Sequence, residues 1–387
     1  NQTLLEYFAG DSAIYAFVIN RDDYRVLTIK KDFNLDSLVR TMRESIISPH
    51  EKKLTDVQRN AARVIYSQSA ALLYEKLVAP AKKYLKSRVV IVPDGPLGYL
   101  PFEALLTTRP EKAYRFNTHP YLLKEHEISY CYSATLLRDM RDLRKRKDKA
   151  VPPANAWLGM VPFFTGDTTL LADLYSYADD VRKDLKPLPF AGKEVANIAE
   201  LIKGKGLYGK ALYGKKKKKK SFGQLAPQYR VLHLSTHGQA NDRTGDYSYL
   251  AFGESKDSTD TDLLYVHDLY NYSLNADLVT LSACETGIGQ LLRGEGIVSL
   301  ARAFSYAGAK SITTSLWQVN DARTQELMVD FYKGLLYTDK KDHKNSLSKD
   351  AALCQAKRKM AKSGDASDPY FWAGFILIGD TRPLLFK

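Results

Sequence analysis

Cysteine is scarce in this chain: Cys131, Cys284 and Cys354 are the only three in 387 residues, an odd number at wide spacings. That excludes a disulfide-framed secreted module and a zinc-ligand cluster, and it favours a reducing compartment. No run approaches the roughly 18 consecutive apolar residues that a helix needs to cross a bilayer. The opening NQTLLEYFAGDSAIYAF lacks the basic start and long apolar core of a secretion signal. A cytoplasmic protein with no membrane association is therefore expected. No glycine-rich phosphate loop is present, so no cofactor and no metal is expected. The chain opens on Asn1 rather than Met, as a fragment with an unseen upstream domain would.

Apolar residues are not scarce. A 44% hydrophobic and 11% aromatic composition over 387 residues supports a sizeable core. The length suggests two halves. The formal charge of +13 is mostly local, because residues 215–220 are six consecutive lysines and the rest of the chain carries only +7. Without interleaved aromatics such a run reads as a solvated connecting loop, and direct nucleic-acid binding is not expected.

Along the chain, AIYAFVI and YRVLTI flank Arg21, Asp22 and Asp23 and read as a hairpin. A helix follows over residues 57–80, with Val57, Ala61, Val64, Ile65, Ala71, Leu72 and Leu77 as its apolar face and Pro80 at its end. Val89 to Val92, bounded by Pro-Asp-Gly, fits a strand buried on both faces. The charged stretch 138–153 ends in Pro-Pro and sets a boundary, giving an N-terminal half of 1–150 and a C-terminal half of 151–387. Beyond it strands and helices alternate: NAWLGMVPF, GKEVANIAELI, RVLHLSTHG, ADLVTLSACETG, GEGIVSLARAFSYAG, AKSITTSLWQV, ARTQELMVDFYKGLLY, SKDAALCQAKRKMAK and FILIGD. The pattern is α/β, a mostly parallel sheet flanked by helices.

Two strand ends share one design. RVLHLSTHG sets His237 and Gly238 just past an apolar strand, and ADLVTLSACETG sets Cys284 just past another. Functional groups in parallel sheets gather at the carboxyl ends of strands, so the imidazole and the thiol are placed to meet. An imidazole beside a thiol favours the thiolate nucleophile and supplies a proton to a leaving amine. Cys131 and Cys354 lie in an apolar run and a helix and read as inert core, as does His233 in the body of its strand.

LHLSTHG, LSACETG, the Gly294–Gly296 segment opening the helix IVSLARAFSYAGA, and SLWQVND occur in the order found in the CHAT family of caspase-like cysteine peptidases, which this sequence resembles. VIVPDGPLGYLPFEAL extends the resemblance into the first half. It implies a caspase-like sheet whose N-terminal half is a degenerate copy of the catalytic C-terminal half, as in the related separase. It also implies His237 as general acid/base, Cys284 as nucleophile, and the amides of Gly238 and Cys284 as oxyanion donors. The 47 residues from His237 to Cys284 match the roughly 50 of caspases.

In the same family frame, the strand SITTSLWQVND pairs with substrate, Trp317 walls a subsite, and Asp321 receives a basic P1 side chain. Asp321 equally suits the N-cap of the helix that follows it. The partners implied are a protein substrate, gasdermin-like or CRISPR-associated, and an upstream tetratricopeptide-repeat region. The role implied is that of a regulated effector in bacterial signalling or anti-phage defence. A catalytically silent module relaying a signal from such repeats is the alternative. Caspases pair through a sheet edge, which a degenerate half would cover within one chain.

Overall fold

The computed structural model describes residues 1–143, 155–162, 188–214, 219–241, 243–252, 263–282, 287, 289–292, 296–337, 346–384 and 386. Its first strands are β1 (Gln2–Ala9), β2 (Ala13–Ile19), β3 (Tyr24–Lys30), β4 (Arg88–Val92) and β5 (Glu127–Tyr130). Then come β6 (Asn155–Val161), β7 (Gly209–Tyr213), β8 (Tyr229–Leu234), β9 (Gly238–Gln239), β10 (Tyr249–Ala251) and β11 (Leu263–Tyr265). The last are β12 (Leu278–Leu281), β13 (Gln290–Leu292), β14 (Gly296–Val298), β15 (Ser311–Ser315) and β16 (Phe375–Gly379).

Eleven of these strands form one sheet in the order β3-β2-β1-β4-β5-β16-β15-β12-β8-β6-β7. Parallel pairs join β1 to β4, β4 to β5, β15 to β12, β12 to β8, β8 to β6 and β6 to β7. The β1-β2-β3 meander and the β15-β16 pair are antiparallel. Strands from before residue 150 occupy one side of the sheet and those after it the other, meeting at Ile378 and Tyr130.

The longer helices are α1 (Leu35–Glu51), α2 (Asp56–Leu73), α3 (Ala134–Leu143), α4 (Pro189–Gly204), α5 (Lys219–Leu225), α6 (Leu300–Tyr306), α7 (Asp321–Leu336) and α8 (Lys349–Lys362). Local chemistry starts them. Asn34 caps α1, Thr55 and Gln58 form a capping box on α2, and Ser299 and Asn320 cap α6 and α7. β4 is buried on both faces. Val89 and Ile91 enter the main core, while Val90 and Val92 pack with Cys131 and Leu137 of α3. The main core runs from Leu5 to Leu384 and takes side chains from both halves of the chain.

Several expectations need correction. α2 buries Ala62, Tyr66, Ser69, Ala70 and Leu73, while Val57, Val64 and Ile65 are exposed. Tyr66 belongs inside because its hydroxyl reaches Ala104 O, 2.6 Å away. The α-helical geometry also stops at Leu73, before a wide turn over Tyr74–Val78 and a tight one over Ala79–Tyr84. Gly296–Val298 is a strand paired with Gln290–Leu292, so the helix there begins at Leu300, after Ser299, rather than at the glycines. Lys219 and Lys220 form the first turn of α5 instead of a loop, and the lysines at 215–218 lie outside the described residues. Among the described residues no helix is long and apolar enough to cross a membrane.

Candidate active site

The candidate site lies at the carboxyl ends of β8 and β12. Their parallel register runs from Leu278↔Val231 to Leu281↔Leu234, and Ser282 N–H then donates to Leu234 O at 2.9 Å. His237 stands three residues past Leu234, and Cys284 three past Leu281. Cys284 itself falls outside the described residues.

His237 is half-buried and held by its backbone. Its carbonyl accepts Ala251 N–H at 2.9 Å, and Thr236 Oγ1 donates to Ala251 O. Gly238 then begins β9, which pairs with β10 through Leu250↔Gly238. The small β9-β10-β11 sheet thus fixes the chain on either side of the imidazole. The segment after His237 also reaches the segment after Cys284: Gly245 N–H donates to Gln290 Oε1 at 3.1 Å.

Beneath His237, His233 is fully buried. Its Nε2 lies 2.7 Å from Glu194 Oε1 on α4 and its Nδ1 3.2 Å from the Tyr332 hydroxyl on α7. Tyr332 also meets Thr280 Oγ1 of β12 at 3.2 Å, and burial raises its phenol pKa. His233 therefore ties β8 to two covering helices, as a structural histidine would.

Asp321 opens α7, but Asn320 is the cap, accepting Arg323 N–H through its side chain. The expected N-cap role of Asp321 on its own helix is thus filled by its neighbour. Asp321 Oδ2 instead accepts Phe190 N–H at 2.8 Å, at the start of α4, where Leu188 has no capping side chain. Burial pushes its carboxyl pKa up, the Phe190 hydrogen bond opposes this, and nearby Glu194 adds to the rise.

Trp317 is not the wall of an open subsite. Only 1% of it is exposed, its indole N–H donates to Tyr370 O at 3.0 Å, and the Arg43 guanidinium lies 5.8 Å from its ring. Gly374 packs so closely on the indole that a Cβ there would come within 2.8 Å of it. A large aromatic beyond β15 is stabilised more by burial with a satisfied N–H than by exposure.

Of the cysteines that the structure describes, Cys131 and Cys354 are buried and unbridged. Burial raises their thiol pKa values to about 11 and about 12. Gln290, Glu194, Arg43 and Tyr99 were not singled out by sequence. Each is an ordinary surface residue type whose role depends on contacts with distant segments. Among the described residues no three His, Cys, Asp or Glu side chains gather as metal ligands.

The sheet, with the two candidate-site strands β8 and β12 side by side, has the caspase-like α/β fold. Separase of Saccharomyces cerevisiae, solved with securin, matches it with a TM-score of 0.58 at 9% identity, over 98% of this chain and 30% of that one. Gingipain R, the Arg-specific cysteine proteinase, matches with a TM-score of 0.50 at 14% identity, covering 91% of this chain and 75% of its own. A complex of the Porphyromonas gingivalis proteinase's pro- and mature domains matches at the same TM-score of 0.50 with 15% identity, over 90% of this chain and 75% of that one.

Residues 67–380 match the CHAT domain, and the chain belongs to the CHAT-domain family. Tetratricopeptide repeat protein 28 of Mus musculus is 36% identical and that of Homo sapiens 34% identical over 117 residues, 30% of this chain. The matched stretch is 4% of those relatives' length.

Proposed function

We propose that this chain is a caspase-like cysteine endopeptidase that cuts a partner protein at restricted sites. The observation that carries the reading is the meeting of the two strand-end segments, through the Leu234↔Leu281 register and the Gly245–Gln290 hydrogen bond. In the proposed reaction His237 takes the proton of Cys284, and the thiolate attacks the scissile carbonyl carbon. The amides of Gly238 and Cys284 hold the oxyanion. His237 then protonates the departing amine, leaving a thioester that water hydrolyses with His237 as base.

Asp321 is the proposed acceptor of a basic P1 side chain. Its carboxyl is half-buried with the Phe190 N–H on Oδ2, and a Lys or Arg side chain would offset the burial that raises its pKa. A regulated role in bacterial signalling or anti-phage defence, with gasdermin-like or CRISPR-associated substrates and upstream tetratricopeptide repeats, completes the proposal. The two mammalian relatives that carry the repeat name support the tetratricopeptide part of this reading.

The test is cleavage of a peptide library and of candidate partner proteins by the wild type, Cys284→Ala, His237→Ala and Asp321→Ala. Loss of cutting in the first two variants, with a P1 preference altered in the third, is the expected result. A wild type that cuts nothing, with upstream domains and activator supplied, would leave the silent relay module as the better account.

A further inference from the structure

Four hydrogen bonds form a closed circuit between the N-terminal half and the segments bordering the candidate site. Arg43 of α1 donates from Nη1 to Tyr99 O at 2.7 Å and from Nη2 to Leu316 O at 3.1 Å. The Tyr99 hydroxyl donates to Gly289 O at 2.9 Å, and Gly287 N–H donates to Ser315 O at 2.8 Å. Chain connectivity closes the ring, since Gly287 and Gly289 are two residues apart and Ser315 adjoins Leu316. The guanidinium also lies 5.6 Å from the centroid of the Tyr99 ring and 5.8 Å from that of Trp317.

Each member is suited to its place. Only a residue without a Cβ fits at 287, where that atom would stand 2.9 Å from Ser315 O. Arg43 reaches two carbonyls in different directions, which a planar fork of donors allows and a single ammonium on a flexible stem does not. Tyr99 is half-buried, with its ring under the guanidinium and its hydroxyl on Gly289. A further link, Tyr132 Oη to Ser299 Oγ at 3.3 Å, joins the chain after β5 to the cap of α6.

We infer that Arg43 and Tyr99 are positioning residues, through which the N-terminal half sets the chain at Gly287 and Gly289 and the segment 315–317 at the border of the candidate site. Gly287 follows Cys284 by three residues, and the segment leads from β15 to Asp321. Neither side chain is a catalytic group. The consequence for catalysis rests on the peptidase reading, whereas the brace itself does not. A half that looks like a degenerate copy thus supplies part of the working geometry.

The experiment compares wild type with Tyr99→Phe, Arg43→Gln and Arg43→Lys, using Tyr66→Phe as control. Tyr66 loses a buried hydroxyl hydrogen bond in the same half but away from the circuit. Deuterium uptake is followed in peptides spanning 287–292 and 311–320, alongside kcat and KM for a cleaved peptide. Losing one hydrogen bond should speed exchange there by about threefold to tenfold in Tyr99→Phe. It should lower kcat more than KM changes, and Arg43→Lys should behave like Arg43→Gln. The control should leave both segments at wild-type exchange. Wild-type exchange in the circuit variants, or equal acceleration in the control, overturns the inference. If the wild type proves inactive, exchange still decides the brace and only the peptidase reading fails.

Discussion

Asp321 begins one helix and caps another: its carboxylate accepts the Phe190 N–H at the head of α4, 2.8 Å away. The bond crosses between two helices that also supply Glu194 and Tyr332 to His233. Asp321→Ala should therefore lower stability by about 1 kcal/mol, the ordinary worth of a cap. Burial, ahead of other causes, already disfavours the charged carboxyl, so Asp321→Asn, which keeps an acceptor oxygen, should cost little at pH 7. Urea unfolding of both variants checks this, and an equal loss in each would count against the capping role.

Lys357 and Glu103 form a buried pair at 2.7 Å that links α8 to the N-terminal half, and the Tyr130 hydroxyl also donates to Glu103. Lys357→Met strands a buried carboxylate and should cost roughly 3–5 kcal/mol. Adding Glu103→Gln removes the stranded charge while keeping an acceptor for Tyr130, and should recover part of that loss in thermal unfolding. A single variant as stable as wild type would contradict the pairing.

Acid should act through Asp277. Burial works to raise its pKa, but Lys310 and then Arg230 outweigh burial and hold it below the ordinary value. A depressed folded pKa stabilises the fold above the unfolded value of about 3.9, and that contribution is lost as pH falls through the folded value. Stability measured against pH should drop below about pH 4, and Asp277→Asn should flatten that limb. An unchanged slope in the variant would assign the acid loss elsewhere.

Thiol labelling separates the cysteines. With pKa values raised by burial to about 11 and about 12, Cys131 and Cys354 should resist iodoacetamide near neutral pH. One label per chain is expected, carried by Cys284 and absent from Cys284→Ala, as peptide mass spectrometry would show. Comparable labelling of Cys131 would mean that the α3 cluster opens readily.

Much of the C-terminal half was legible because its strands β8, β12, β15 and β16 are short apolar runs followed by turn residues. The strand β1 escaped notice. Its inward residues Thr3, Leu5 and Tyr7 alternate with Leu4, Glu6 and Phe8, a mixture that composition alone does not mark. The face of α2 was misjudged because Val57, Val64 and Ile65 look like core residues, whereas small side chains and Tyr66 fit the space against α1 and the segment around Ala104. At the candidate site, the position of His237 and Gly238 just past the apolar strand β8 was legible. The buried course of Trp317 was not, since it depends on Gly374 and Tyr370, more than fifty residues away.

The sheet order also governs how copies of this protein can associate. β16, which pairs with β15 on one side, has β5 of its own chain on the other, so that edge is closed to a second molecule. Among the described residues, the sheet ends at β3 and β7. A strand added at β3 would sit beyond eight strand spacings, roughly 38 Å, from β8, and one added at β7 within a few spacings of it. Of the two ends of the eleven-stranded sheet, the β7 end is therefore the one from which pairing would come near the His237 neighbourhood. The joint between the two halves of the sheet, at β5 and β16, is made here within one chain.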